Sequence, residues 1–186
     1  MNTPNALSLA RLLLTPAFVV SVIYHAEGNP FLSRLPLIIF IVAVITDAVD
    51  GFIARRYNQI TSLGILLDPL ADKFLLAASF ITLSFVAYGP AHLKIPPWVL
   101  VIVLTRDLFI LTGAAVIYFV YGYVEFKPSM LGKVTTFFQM ATILSVLIQF
   151  KYSYAIWTLA ALFTVFSGAH YLLRANRVLN GKTKHI

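Results

Sequence analysis

The chain contains no cysteine, which excludes disulfide staples and thiolate metal sites and leaves only oxygen or imidazole ligands for any bound metal. Charge is scarce too: 11% of the 186 residues are charged, whereas 60% are hydrophobic. Such a balance excludes an ordinary water-soluble domain. Acidic residues number seven against 14 Lys and Arg, a net charge of +7. With no soluble module that interleaves basic and aromatic residues, this surplus points to an anionic lipid surface and not to nucleic acid. Low-complexity tracts and internal repeats are absent, and there is no room for a separate soluble domain. The opening MNTPNALSLARLLLTPAFVV lacks the basic start, short apolar core and small-residue cleavage site of a secretory leader, so the first apolar stretch is expected to stay.

What the chain has in abundance is long apolar runs. Hydropathy and turn residues divide it into segments at roughly 5–26, 35–57, 61–88, 96–121, 128–149 and 153–178, each near the ~20 residues that span a bilayer. The breaks fall at Gly28 to Pro30, Asn58, Gly89 and Pro90 with Pro96 and Pro97, Gly122 to Pro128, and the short KYS near 151–153. The expected fold is all-α: a polytopic membrane protein of about six transmembrane helices, forming a single domain over 1–186.

Lys and Arg collect on the cytoplasmic side of membrane proteins. Arg55, Arg56, Lys127, Lys133, Arg174, Arg177, Lys182 and Lys184 fall on one side, and Arg34, Lys94 and Lys151 on the other. Both termini are therefore expected in the cytoplasm. Trp98, Trp157 and several tyrosines near segment ends fit an interfacial aromatic belt.

Five of the seven acidic residues, Asp47, Asp50, Asp68, Asp72 and Asp107, lie inside expected spans. At about 2.5 to 3.5 kcal/mol each, the first four would cost roughly 10 to 14 kcal/mol if ionised and uncompensated. That is about the whole stability of a typical fold, so something must neutralise them. Asp47 and Asp50 are three residues apart and Asp68 and Asp72 four apart, placing each pair on one helix face, about 60° and 40° apart. In an antiparallel hairpin turning near Gln59 the two pairs match in depth, roughly 10 Å inside the cytoplasmic face. Four hard carboxylates suit Mg²⁺, Mn²⁺ or Ca²⁺ and could hold two such ions. Gly51, Ala54 and Gly64 remove bulk beside them, and Arg55 supplies a guanidinium suited to a diphosphate. The pattern points to a phosphate ester handled at a membrane surface.

Asp47, Asp50, Gly51, Ala54, Arg55, Gly64, Asp68 and Asp72 match in identity and spacing the signature of the CDP-alcohol phosphotransferases, which the chain resembles over most of its length to about residue 150. The resemblance extends to TPNALSLARLLLTP, LDPLADK, TRD and LGKVTTFFQM. It implies a six-helix enzyme of phospholipid biosynthesis, usually a homodimer, that cleaves the diphosphate of a CDP-linked lipid, releases CMP and joins the lipid phosphate to an alcohol. It further implies Mg²⁺ or Mn²⁺, two ions held by the four aspartates, with Asp72 as general base. Asn5, Gly51, Ala54, Arg55 and Gly64 would contact the cytidine nucleotide, and Arg106 and Lys133 the acceptor.

The opening residues, LDPLADK and GKVTT look like the branch that uses CDP-diacylglycerol with a glycerol-type acceptor. Glycerol 3-phosphate is the first expectation, giving a phosphatidylglycerophosphate synthase. Phosphatidylglycerol, giving a cardiolipin synthase, is the alternative. Synthases of the first kind commonly carry a second arginine eight residues after the one matching Arg106, where this chain has Ala114.

Each residue has a plainer reading. The aspartates could be polar glue, although interhelical hydrogen bonds average only about 0.6 kcal/mol, or they could line a cation or proton path. Lys73 could merely counter the acidic cluster, Lys133 could be a cytoplasmic anchor, and Arg11 could snorkel to the interface. Arg106 and Asp107 could form an intramembrane ion pair, although adjacent residues point about 100° apart on a helix and need not pair with each other. Ser167, Gly168 and Ala169, like Gly113 to Ala115, read as helix-packing surfaces. His25, His92, His170 and His185 lack metal-ligand spacing.

Overall fold

A computed structural model describes the backbone at residues 3–25, 29–57, 62–86, 88–121 and 129–179, with side chains at 10–25, 29, 31–46, 73–86, 88–113 and 129–173. The described residues form helices α1 (Thr3–Ile23), α2 (Pro30–Tyr57), α3 (Ser62–Phe85), α4 (Pro97–Tyr121), α5 (Met130–Leu147) and α6 (Ser153–Leu179). A short 3₁₀ turn, Ala91–Leu93, precedes α4, and no strand occurs among them.

Local chemistry sets the ends, and it moves one boundary. Helix α2 starts at Pro30, earlier than the expected 35, because Asn29 caps it: its Oδ1 accepts from the N–H groups of Phe31 at 3.0 Å and Leu32 at 3.4 Å. Proline at the first helical position needs no N–H partner, so the break signal is itself the start signal. Ser129 caps α5 likewise, its Oγ accepting from Gly132 N–H at 3.0 Å. Helix α5 closes with paired bonds, Gln149 N–H to Val146 O at 2.9 Å and Phe150 N–H to Ser145 O at 2.8 Å. That ending needs a left-handed residue, and Gln149 takes it at φ 56° where glycine is usual. Gly89, at φ 72°, turns the chain after α3.

Among the described residues, three stretches, Ala91–Gly113, Met130–Leu147 and Ser153–Leu173, are long and apolar enough to cross a membrane, and shorter apolar helices run over Ala10–Ile23, Phe31–Thr46 and Lys73–Phe85. Burial is inverted relative to a soluble protein. Phe31, Ile38 and Ile45 form an exposed stripe along α2, and Leu162, Phe166 and Leu173 do so on α6. Leaving each in water would forgo about 1.5 to 3 kcal/mol, so the surrounding medium is apolar. Inside lie hydroxyls, and Thr15, Ser79, Thr82, Thr135, Thr142 and Thr164 each donate to the carbonyl four residues back. This satisfies them without water.

The chain divides into two compact units, Met1–Lys94 with Ile143–Phe150, and Ile95–Thr142 with Lys151–Ile186. In the first, α1 packs against both α2 and α3, with Phe18 and Phe40 in ring contact at 5.9 Å. Arg11 is fully buried on α1. It therefore does not snorkel, because the side of α1 that carries it is packed inward. Tyr88 donates to Ser33 O at 2.8 Å and meets the His25 ring at a tilt of 44°, centroids 4.4 Å apart, and burial raises its hydroxyl above the ordinary tyrosine value, keeping it a donor.

In the second unit α4 and α6 pack together. Arg106 pairs with Ser167 and Ile110 with Tyr171, so the sequence offset stays constant and the two helices run parallel. Phe138 of α5 stacks on Phe163 of α6 at 4.8 Å. Trp98 is exposed as a belt residue should be, but Trp157 is only 6% exposed. Its indole faces inward from the first turn of α6, which corrects its place in the belt.

Candidate active site

The acidic residues ride on unbroken helix. Asp47, Asp50, Gly51, Ala54 and Arg55 belong to α2, and Gly64, Asp68 and Asp72 to α3, while Asn5 is on α1. Regular backbone through both signature halves keeps the three- and four-residue spacings on single faces. Asp50 stands about 10 Å before the end of α2 and Asp68 about 9 Å after the start of α3, from 1.5 Å rise per residue. The side chains of these nine residues lie outside the described ones, so their convergence in a hairpin remains an expectation. Among the described residues no cluster of three or more His, Asp or Glu could hold a metal. The donor set itself fits a hard divalent cation: four carboxylates, no sulfur, on helices with no break at their positions.

The basic residues belong to the second unit, where side chains are described. Arg106 on α4 and Asp107 beside it are each 9% exposed. They do pair with each other, Nη1 to Oδ1 at 2.8 Å, which settles the question that their divergence on the helix left open. The reason is the length of the arginine arm, which curls across the 100° step that would separate two short side chains. Arg106 Nη2 donates to Ser167 Oγ on α6 at 2.7 Å. Its Nε–H has no hydrogen-bond partner among the described residues.

Two glycines lie against the Arg106 side chain. A Cβ at Gly132 would come within 3.5 Å of Arg106 Nη2, and one at Gly168 within 3.5 Å of its Cγ. Arg106 therefore lies against the first turn of α5, where Ser129 caps the helix and Lys133 is exposed. Lys133 also heads an open groove of about 410 Å³ that continues along Gly132, Thr136, Phe137 and Met140. A fixed guanidinium, an ammonium and a helix N-terminus together can take an anionic oxygen group such as phosphate. Ser167 was missed in the sequence because a small residue in an apolar helix gives the same signal whether it packs or accepts a hydrogen bond. Only its sequence distance to Arg106 could not be guessed.

The family model for CDP-alcohol phosphatidyltransferase matches residues 1–166. The chain belongs to that family. It is an enzyme of that transferase class, and the aspartates lose their reading as an ion path. A Bacillus subtilis (strain 168) relative named CDP-diacylglycerol–glycerol-3-phosphate 3-phosphatidyltransferase is 33% identical, over 91% of this chain and 93% of its own length. One of the same name from Aquifex aeolicus is 37% identical over 78% of this chain and 75% of its own. A CMP-forming cardiolipin synthase from Streptomyces coelicolor is 31% identical over 74% of this chain and 60% of its own.

Proposed function

We propose that the enzyme transfers the phosphatidyl group of CDP-diacylglycerol to glycerol 3-phosphate, releasing CMP, at the cytoplasmic face of a membrane that both termini border. The observation carrying the acceptor assignment is the near end-to-end match to the Bacillus subtilis relative, whose printed name gives glycerol 3-phosphate. The buried Arg106 fork beside exposed Lys133 supports it, because a phosphate-bearing acceptor needs a cationic subsite.

In this reading Asp47, Asp50, Asp68 and Asp72 hold divalent metal, Mg²⁺ or Mn²⁺, as two ions. When bound, the metal would supply charge stabilisation to the diphosphate. Gly51, Ala54 and Gly64 leave space for the cytidine nucleotide, Arg55 faces its phosphates, and Asn5 completes that set. Asp72 takes the proton of the acceptor hydroxyl. The acceptor oxygen then bonds to the phosphorus bearing diacylglycerol as the bond from that phosphorus to the CMP oxygen breaks. Arg106 and Lys133 orient the acceptor through its phosphate, and the acyl chains stay in the bilayer throughout. The working form is a homodimer.

Phosphatidylglycerol is a second reading, favoured by one observation. Asp107 already balances Arg106, and Lys133, the cation next to it in the described part of this subsite, better matches a phosphodiester of charge −1 than a monoester near −2. Purified enzyme offered CDP-diacylglycerol with glycerol 3-phosphate, phosphatidylglycerol, inositol phosphate or serine, with lipid products read by mass spectrometry, separates the two. Phosphatidylglycerophosphate is the expected product; cardiolipin alone would replace the first reading with the second.

A further inference from the structure

The guanidinium of Arg106 is held at two points by very different groups. Asp107 takes Nη1 and comes from the same helix, so this bond fixes nothing beyond α4. Ser167 takes Nη2 and comes from α6, 61 residues further along the chain. The group thus clamped is nine-tenths buried, and of its five N–H donors these bonds take two; Nε–H has no partner among the described residues. Leaving buried donors unused is costly unless a ligand takes them. Without the Ser167 bond, the guanidinium would be tied only within α4, through Asp107.

We propose that Ser167 is a positioning residue of the acceptor subsite: its hydroxyl on α6 fixes the orientation of the Arg106 guanidinium so that the unused N–H donors meet the acceptor's phosphate. The inference rests on the reading of Arg106 as the phosphate-binding group. It makes α6, a helix that carries none of the signature residues, a determinant of acceptor affinity. Gly132 in the first turn of α5 lies beside the same guanidinium, a Cβ there falling 3.5 Å from Nη2.

A purely structural tether between α4 and α6 would look similar, and the molecule supplies its own control. One turn further on, Tyr171 donates to Ile110 O at 3.4 Å, joining the same two helices at the same offset without touching Arg106. Steady-state kinetics of Ser167→Ala and Tyr171→Phe separate the roles. Ser167→Ala is expected to raise KM for glycerol 3-phosphate about tenfold, with kcat and KM for CDP-diacylglycerol nearly unchanged. Tyr171→Phe should leave the acceptor KM at its wild-type value. An unchanged acceptor KM in Ser167→Ala, or equal shifts in both variants, overturns the inference. If Ser167→Ala does not fold, Ser167→Cys keeps the volume with a weaker acceptor and carries the same expectation. A wild-type enzyme inert toward glycerol 3-phosphate overturns the acceptor reading instead, and the comparison is then made with phosphatidylglycerol, where the same KM result decides.

Discussion

Arg106 and Asp107, neighbours in the chain and both buried, neutralise one another across 2.8 Å inside α4. Removing Arg106 takes one partner from Asp107 and cuts the bond to Ser167. Arg106→Ala is expected to destabilise the protein by about 3 to 5 kcal/mol, and Asp107→Ala, which takes the carboxylate from a buried guanidinium, by a similar amount. Thermal unfolding in detergent measures both. Arg106→Lys keeps the charge but cannot bond Asp107 and Ser167 as a planar fork, so acceptor KM should rise at least about tenfold even if the variant folds.

Asp72→Asn removes the proposed base while keeping the shape of the side chain. CMP release should fall by about 10² to 10⁴-fold. Binding of CDP or CMP, followed by calorimetry, should persist. Near-normal turnover would take the base role away from Asp72.

Chelation tests the acidic set as a whole. EDTA should abolish CMP release, and added Mg²⁺ or Mn²⁺ should restore it. Activity that survives exhaustive chelation would leave the four aspartates without the role given them.

Gln139 lies fully buried on α5 with neither Nε2 nor Oε1 hydrogen-bonded among the described residues. Its amide is therefore a cost of about 1 to 3 kcal/mol. Gln139→Met, which keeps the length and drops the polar atoms, should raise the melting temperature. A fall would show that the amide has a partner in the working protein.

Gly89 turns the chain at φ 72°, and a Cβ there would come within 2.7 Å of Gln149 Nε2. The close atom ends a flexible side chain, so the backbone term dominates, and Gly89→Ala should cost about 1 to 2 kcal/mol. Unfolding curves with an unchanged midpoint would exclude strain at this turn.

Much of the architecture was open to reading because a bilayer imposes simple demands. A span must be about 20 apolar residues, and a carboxylate inside it must have a reason. The runs around Val103, Ile143 and Leu162 met the first test, and the aspartates at 47, 50, 68 and 72 raise the second question from the sequence itself. What stayed hidden depends on reach and direction. Asn29 and Pro30 read as a break although they begin a helix, since a cap and a loop use the same residues. The pairing of Arg106 with Asp107 stayed open because helical angles describe Cβ directions and not the far end of a long arm. Trp157 and Arg11 follow common habits of membrane proteins in their sequence positions, yet packing draws both inward. The faces they sit on are fixed by partners distant in the chain.

The buried hydroxyls that fold onto their own helices leave few directional links between spans. Among the described residues of α4, α5 and α6, the bonds from Thr135 to Phe163 O, from Arg106 to Ser167 and from Tyr171 to Ile110 O are directional ties against sliding. Such a scaffold should accept Thr164→Val with little penalty. Evolution is then free to wander through its greasy interior while holding fast the few crossings that aim a cation.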